Sequence, residues 1–341
     1  MAGGFMSILQ SFFDKLFGRR KPETPVVSPP ITSPDSTDEP AQVVTLKILA
    51  LIYDPILDPA SGEKLSQRMR WNRPEDLETA FAAELLEVSG GMARVQIAQR
   101  IEINEFPDLA DGFRYTPAAY LDVLRGVSQP HKPSNIDYQK ILAKYNILQR
   151  VGRGEIDEVW IFGFPYAGLY ESTMGGKGAF WCNAPILKNT QTCSRRFVVM
   201  GFNYERGVGE MMESFGHRAE SILAKTFEPL SGEANLWLRF IRYDKVSPGK
   251  AEVGTIHFAP NSERDYDWNN PRLVNSFCDN WYRFPDLSGP ARMVNADEWG
   301  NGNIRLHHRW WFKHIPHVAG RQNGIHNNWW QYIMDANNVG K

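Results

Sequence analysis

Three nearly unbroken apolar runs constrain this chain most: VTLKILALIYDP from Val44, DEVWIF over Asp157–Phe162, and RFVVMGF over Arg196–Phe202. A strand apolar on both sides must be buried on both sides, which is the situation inside a parallel sheet. Between the runs lie helical patterns. Pro74–Ser89 places Leu77, Phe81, Leu85 and Leu86 on one face, and Tyr115–Leu124 and Tyr138–Ile147 follow the same period. Ala93–Glu102 reads as a further strand. Strands alternating with helices predict an α/β domain with an open, mostly parallel sheet flanked by helices. After residue 235 the texture changes. Leu236–Tyr243 and Asn303–Lys313 alternate in hydropathy, and Gly-, Pro- and Asn-rich loops separate them. This predicts an aromatic-rich, loop-heavy and antiparallel C-terminal region from about residue 236.

The start of the chain has a different character. In residues 1–20, Phe5, Ile8, Leu9, Phe12, Phe13, Leu16 and Phe17 recur at helical spacing, with Lys15, Arg19 and Arg20 at the C-terminal end. Such an amphipathic helix suits docking onto a protein partner or a membrane surface. Residues 21–42 are rich in Pro, Ser and Thr without apolar periodicity, and predict a disordered linker. The globular part is expected over 43–341. A Sec signal has its positive charge before the apolar core and a cleavage site after it, an order absent here. No apolar run reaches the roughly 18–20 residues of a spanning helix. The expectation is cytoplasmic synthesis, followed by membrane association or export by a non-classical route, as for a delivered effector or cargo module.

Composition narrows the partners. The formal net charge is −1, so no global field attracts nucleic acid. The three cysteines form no CxxC pair and make neither a disulfide framework nor a thiolate zinc site. Eight of the 11 Trp follow residue 235 (Trp237, Trp268, Trp281, Trp299, Trp310, Trp311, Trp329 and Trp330). They either pack a loop-rich domain or present stacking surfaces for a glycan.

In an open parallel sheet, ligands bind beyond the carboxyl ends of the strands. The ends of the apolar runs therefore predict a rim made of Asp54, Tyr166, Glu171, Asn203, Glu205 and Arg206. Glu171, Glu205 and Arg206 are the candidate catalytic groups, and Asp54, Tyr166 and Asn203 the candidate substrate contacts. Arg309 and Trp311 join the substrate contacts if 303–313 is a strand, since one face would then carry Arg305, His307, Arg309, Trp311 and Lys313. The turn Gly207-Val208-Gly209 lacks the third glycine of a dinucleotide fingerprint, and Glu210 and Glu213 repel phosphate, so no nucleotide cofactor is expected.

The helix after that turn carries Glu210, Glu213, His217 and Glu220 along one face, opposite Val208, Met212, Phe215, Ala219 and Ile222. The opposition predicts a solvated face. The density of carboxylates around a histidine equally suits a cation, which would relieve their repulsion. Gly216-His217-Arg218-Ala219-Glu220 resembles the ligand motif of zinc carboxypeptidases. That resemblance implies His217 and Glu220 as metal ligands, with His257 or His326 as a distant third, and zinc or another divalent metal as cofactor. The functional expectation is a metal-dependent hydrolase acting on a peptide or glycan. The alternative is a non-catalytic glycan-binding or effector module.

Overall fold

The computed structural model describes residues 38–341. The helix expected over 1–20, and the linker up to residue 37, lie outside the described residues. Five strands form the main sheet: β1 (Val44–Tyr53), β2 (Ala93–Ile103), β3 (Glu158–Gly163), β4 (Ser172–Gly175) and β5 (Phe197–Asn203). Their order is β2-β1-β3-β5-β4. The first four in that order are mutually parallel, and β4 runs antiparallel to β5, with Ser172 opposite Met200. Every residue of β3 is buried, as the apolar run requires. The edge strand β4 has no apolar run, and only its pairing with β5 makes it a strand.

Two helices cover one face, α1 (Pro74–Val88) and α2 (Val208–Phe227). Phe81 of α1 sits between Trp160, Phe202 and Phe215, with ring centroids 5.3, 5.3 and 5.9 Å away. The connection from β2 to β3 runs back across the sheet. A right-handed crossover then puts the short helices Pro117–Leu124, Tyr138–Lys144 and Ile147–Gly152 on the other face. Pro117 at the first helical position and a bond from Ala119 N to Thr116 Oγ1 start the first of these.

The C-terminal region departs from the expected alternation at two places. Residues Leu236–Phe240 form a short helix, and Ile304–Lys313 form α3 rather than a strand. The buried residues His307, His308, Trp311 and Phe312 recur at spacings of three and four, and Arg305, Arg309 and Lys313 recur at four. Arg305 and Arg309 pair with Glu84, and Arg309 and Lys313 with Glu87, so this cationic stripe binds α3 to α1. Trp311 is fully buried and donates to Gly254 O at 3.0 Å. Arg309 and Trp311 therefore serve packing, not a substrate surface. The antiparallel part consists of Val274–Ser276 with Arg292–Val294, and of His317–Gln322 with Ile325–Asn328. Most C-terminal tryptophans are core: Trp237, Trp281, Trp311 and Trp329 meet around Phe240.

Arg218 of α2 is buried at the sheet. It donates to Glu158 Oε2 at 2.6 Å and to the carbonyls of Ile333 and Met334 at 3.1 and 2.9 Å. Trp160 Nε1 donates to the other Glu158 oxygen at 2.8 Å. Burial pushes the Glu158 carboxyl up, against the pull of Arg218 and Trp160. Removing one partner strands a charge in the core. Arg218→Ala should lower the unfolding free energy by about 3–5 kcal/mol in urea titration at pH 7. The double replacement Arg218→Met with Glu158→Leu should recover part of that loss.

Candidate metal centre

The helix α2 starts at Gly207, whose N–H donates to Glu210 Oε2 at 3.0 Å. Two turns further on, Gly216 lets another segment press against the helix. A Cβ at this position would stand 2.5 Å from Ile256 Cδ1. The segment Thr255–Phe258 is a tight turn closed from Thr255 N to Phe258 O at 2.9 Å. It places His257 directly over α2. The stripe of Glu and His is accordingly not a wet face. Glu213 and His217 are buried, and residues 255–266 cover them. The apolar side opposite meets the sheet, so α2 is buried on both sides.

Glu213, His217 and His257 each offer one ligand atom within 4.8 Å of the others, so this group can hold a metal ion. His217 Nε2 lies 3.0 Å from His257 Nε2, and His257 Nε2 lies 2.9 Å from Glu213 Oε1. Ligands at roughly 2.0–2.1 Å around a tetrahedral ion are about 3.3 Å apart, so a small spreading of the three would admit one. The second nitrogen of each imidazole faces a carboxylate. His217 Nδ1 is 3.0 Å from Glu220 Oε2, and His257 Nδ1 is 2.9 Å from Asp265 Oδ1. Such partners fix the tautomer and raise ligand basicity. Tyr266, held at a φ of 56°, donates its hydroxyl to Glu213 Oε1 at 2.7 Å. Its neighbour Trp268 stacks on His307 with centroids 4.6 Å apart, anchoring the loop to α3.

The charges are tightly matched. Burial works to lower the His257 pKa, but the bonds to Asp265 and Glu213 prevail and hold it at about 10. Burial works to raise that of Glu213, but the bonds from His257 and Tyr266 bring it down to about 2. His217 is raised too, with burial opposed by the Glu220 bond and the charges of Glu171 and Glu220. With the His257 pKa raised, a cation held by this group would have to displace a proton.

The centre adjoins a cleft of about 320 Å3 lined by Tyr166, Glu171, Asn203, Arg206, Glu210 and Glu213, among others. The loops after β3 and β5 and the first turns of α2 build it. Glu171 Oε2 accepts from Asn183 Nδ2 at 2.5 Å. The backbone N–H of Asn183 donates to Ser221 Oγ, and that hydroxyl donates to His217 O. Glu171 is thus indexed to the helix that carries the centre.

The remaining expected residues are placed elsewhere. Glu205 follows β5 but is exposed outside the cleft lining, and its N–H donates to Asn203 Oδ1 at 3.0 Å. Asp54 is sealed: its oxygens accept from Ser66 N at 2.9 Å and Ser66 Oγ at 2.6 Å, and Tyr204 OH lies 3.4 Å away. It caps the short helix Leu65–Met69. Glu220 stands behind His217 rather than in the ligand group, because Oε2 holds Nδ1 and Oε1 accepts from Ile256 N at 2.9 Å. Glu213 stands in that group instead. It precedes His217 by four residues and Glu220 follows by three, so both lie within one helical turn of it. Nothing in local spacing points to Asp265, Tyr266 or Asn183. His326 contacts Arg321 instead, away from the centre. Cys182 is buried beside Ser172, and burial pushes its thiol up to about 11.

No family model, curated protein or solved structure matches this chain. Among the described residues no helix is long and apolar enough to cross a membrane.

Two outcomes test this geometry. In chelator-treated protein, His257 keeps its proton to about pH 10, whereas an unfolded histidine loses it near the ordinary 6.5. That contribution is complete below pH 6.5 and fades as pH rises towards 10. Wild-type stability should therefore fall across this window more steeply than that of His257→Gln, by up to about 1.4 kcal/mol per pH unit. Gly216→Ala adds a methyl against Ile256. Overpacking of about 1–3 kcal/mol outweighs the ~1 kcal/mol gained in helix propensity. Zinc affinity by equilibrium dialysis should fall at least about tenfold as His257 is displaced.

Proposed function

We propose that this protein is a metal-dependent hydrolase acting on a peptide or glycan in the cleft beside Glu171. One observation carries the reading: two histidines and a glutamate, each histidine backed by a carboxylate, converge beside a cleft that also holds an indexed carboxylate. Zinc is the ion that this donor set suits best, since two histidines and a glutamate leave a position open. When bound, such an ion polarises a carbonyl and acidifies a water.

The chain's own groups supply the rest. Glu171 takes the proton from the attacking water and delivers it to the leaving group, with Asn183 holding one of its oxygens. Glu220 and Asp265 keep His217 and His257 oriented. Tyr266 holds Glu213. Arg206 and Asn203 bind polar groups of the substrate at the mouth. The Trp-rich stacking surface expected of a non-catalytic glycan binder in the C-terminal region is not formed, since Trp237, Trp268, Trp281, Trp299, Trp311, Trp329 and Trp330 are all buried.

Elemental analysis of the full-length protein after zinc loading and desalting should find one ion per chain. His217→Ala should lose it while keeping its circular dichroism. Glu171→Gln should retain the ion but hydrolyse 4-nitrophenyl acetate about 10²–10⁴-fold more slowly. A folded wild-type chain that takes up no zinc would sink the reading.

A further inference from the structure

We propose that the substrate is an acylated sugar, deacylated at the metal centre while its ring stacks on Tyr166. This rests on the hydrolase reading and narrows it by three observations.

The first concerns peptides. A cleft that holds an extended peptide ordinarily offers it a free sheet edge. The edge strand beside this cleft is β4, and all four of its residues are buried. Residues 182–190 already occupy its outer side: Leu187 N donates to Met174 O at 2.9 Å, and Thr173 Oγ1 donates to Pro185 O at 2.8 Å. No strand can be added there.

The second concerns Tyr166. Its φ of 65° lies in the left-handed region, which a bulky side chain rarely adopts. The turn is braced on both sides. Tyr120 OH donates to Pro165 O at 2.9 Å, and Gly168 lies so close to Ser134 that a Cβ would stand 1.9 Å from its carbonyl oxygen. The result is a half-exposed aromatic ring at the cleft mouth, on a backbone that cannot relax away. Strain of this kind persists where the surrounding structure over-determines it, often at ligand clamps. Asn203, Arg206 and Glu210 line the same cleft, and they match hydroxyls that both donate and accept. An aromatic plate beside such a set fits a hydroxylated ring.

The third is chemical. Polarisation by a metal acts on a carbonyl or phosphoryl oxygen, and a glycosidic acetal has neither. Glu171, Glu210 and Glu213 line the cleft and would repel a phosphate dianion, so the scissile bond is that of an acyl substituent. Water oxygen bonds to the acyl carbon and the carbon–nitrogen or carbon–oxygen bond breaks. Glu171 passes one water proton to the departing amine or hydroxyl, and the acyl group leaves as a carboxylic acid whose remaining proton goes to the amine or to solvent.

The test uses zinc-loaded full-length protein with N-acetylated chitotetraose, O-acetylated xylo-oligosaccharide and 4-nitrophenyl acetate. The expected result is acetate release from at least one oligosaccharide without new reducing ends. Tyr166→Gly relieves the left-handed strain, so it should melt no lower than wild type, yet raise KM for that oligosaccharide about tenfold, with kcat changing less. Tyr166→Phe should retain the wild-type KM. Hydrolysis of 4-nitrophenyl acetate alone, new reducing ends, or a KM indifferent to Tyr166→Gly would overturn the sugar assignment and leave the hydrolase standing. Absence of zinc-dependent hydrolysis of all three compounds would overturn both.

Discussion

The buried pair between Arg218 and Glu158 is the constraint on which the candidate centre depends. It ties α2 to the first residue of β3 and, through two further bonds, to the carbonyls of residues 333 and 334. A guanidinium with this many fixed partners has little rotational freedom. His217 is the preceding residue, so it points about 100° around the helix from Arg218. Once Arg218 is locked into the sheet, His217 and Glu213 are presented to the other side, where the loop 255–266 lies. An isolated pair of this kind adds little net stability. Its contribution here is a unique rotation of the helix.

That rotation explains why the polar stripe is not exposed. An amphipathic helix on a two-layer domain would leave its carboxylates in water. Here a third layer, the loop-rich segment after residue 240, covers them, and Gly216 allows it to come within contact. Burying Glu213 and His217 beneath the partly buried His257 is tolerable because their charges neutralise one another through direct bonds. Asp265, Glu220 and Tyr266 complete the set. The outcome is a polar cluster inside the protein, opening towards the cleft through Glu213.

The legible parts of the fold were those with a strong period and both faces apolar. The strands at Val44, Glu158 and Phe197 and the helix at Pro74 emerged within one or two residues, because burial on two sides leaves no alternative pattern. The segment 303–313 misled, because His307 reads as polar between Arg305 and Arg309 and, with His308 set on the apolar side, completes an apparent alternation. In the protein both are buried, His307 against Trp268, and the four-residue spacing of Arg305, Arg309 and Lys313 is the true period. Neighbouring tryptophans determine whether a histidine counts as apolar, and sequence distance hides them. At the site, His217 and His257 could be named from their surroundings, and Tyr166, Glu171, Asn203 and Arg206 from the strand-end rule. Asp54 obeyed the same rule, yet a short helix consumed its carboxylate as a cap.

The amino-acid sequence by itself determined the class of the fold, the direction of its central strands and the edge of the sheet where the cleft opens. These follow from local hydropathy and from the handedness of crossovers. Only the tertiary structure decided which carboxylate stands with His217 and His257. Glu213 and Glu220 are each within one turn of His217, and local spacing treats them alike. Ile256 N and His217 Nδ1 claim both oxygens of Glu220, leaving Glu213 to face His257 Nε2, and the contacts of Ile256 and His257 with the helix span 36 and 44 residues of chain.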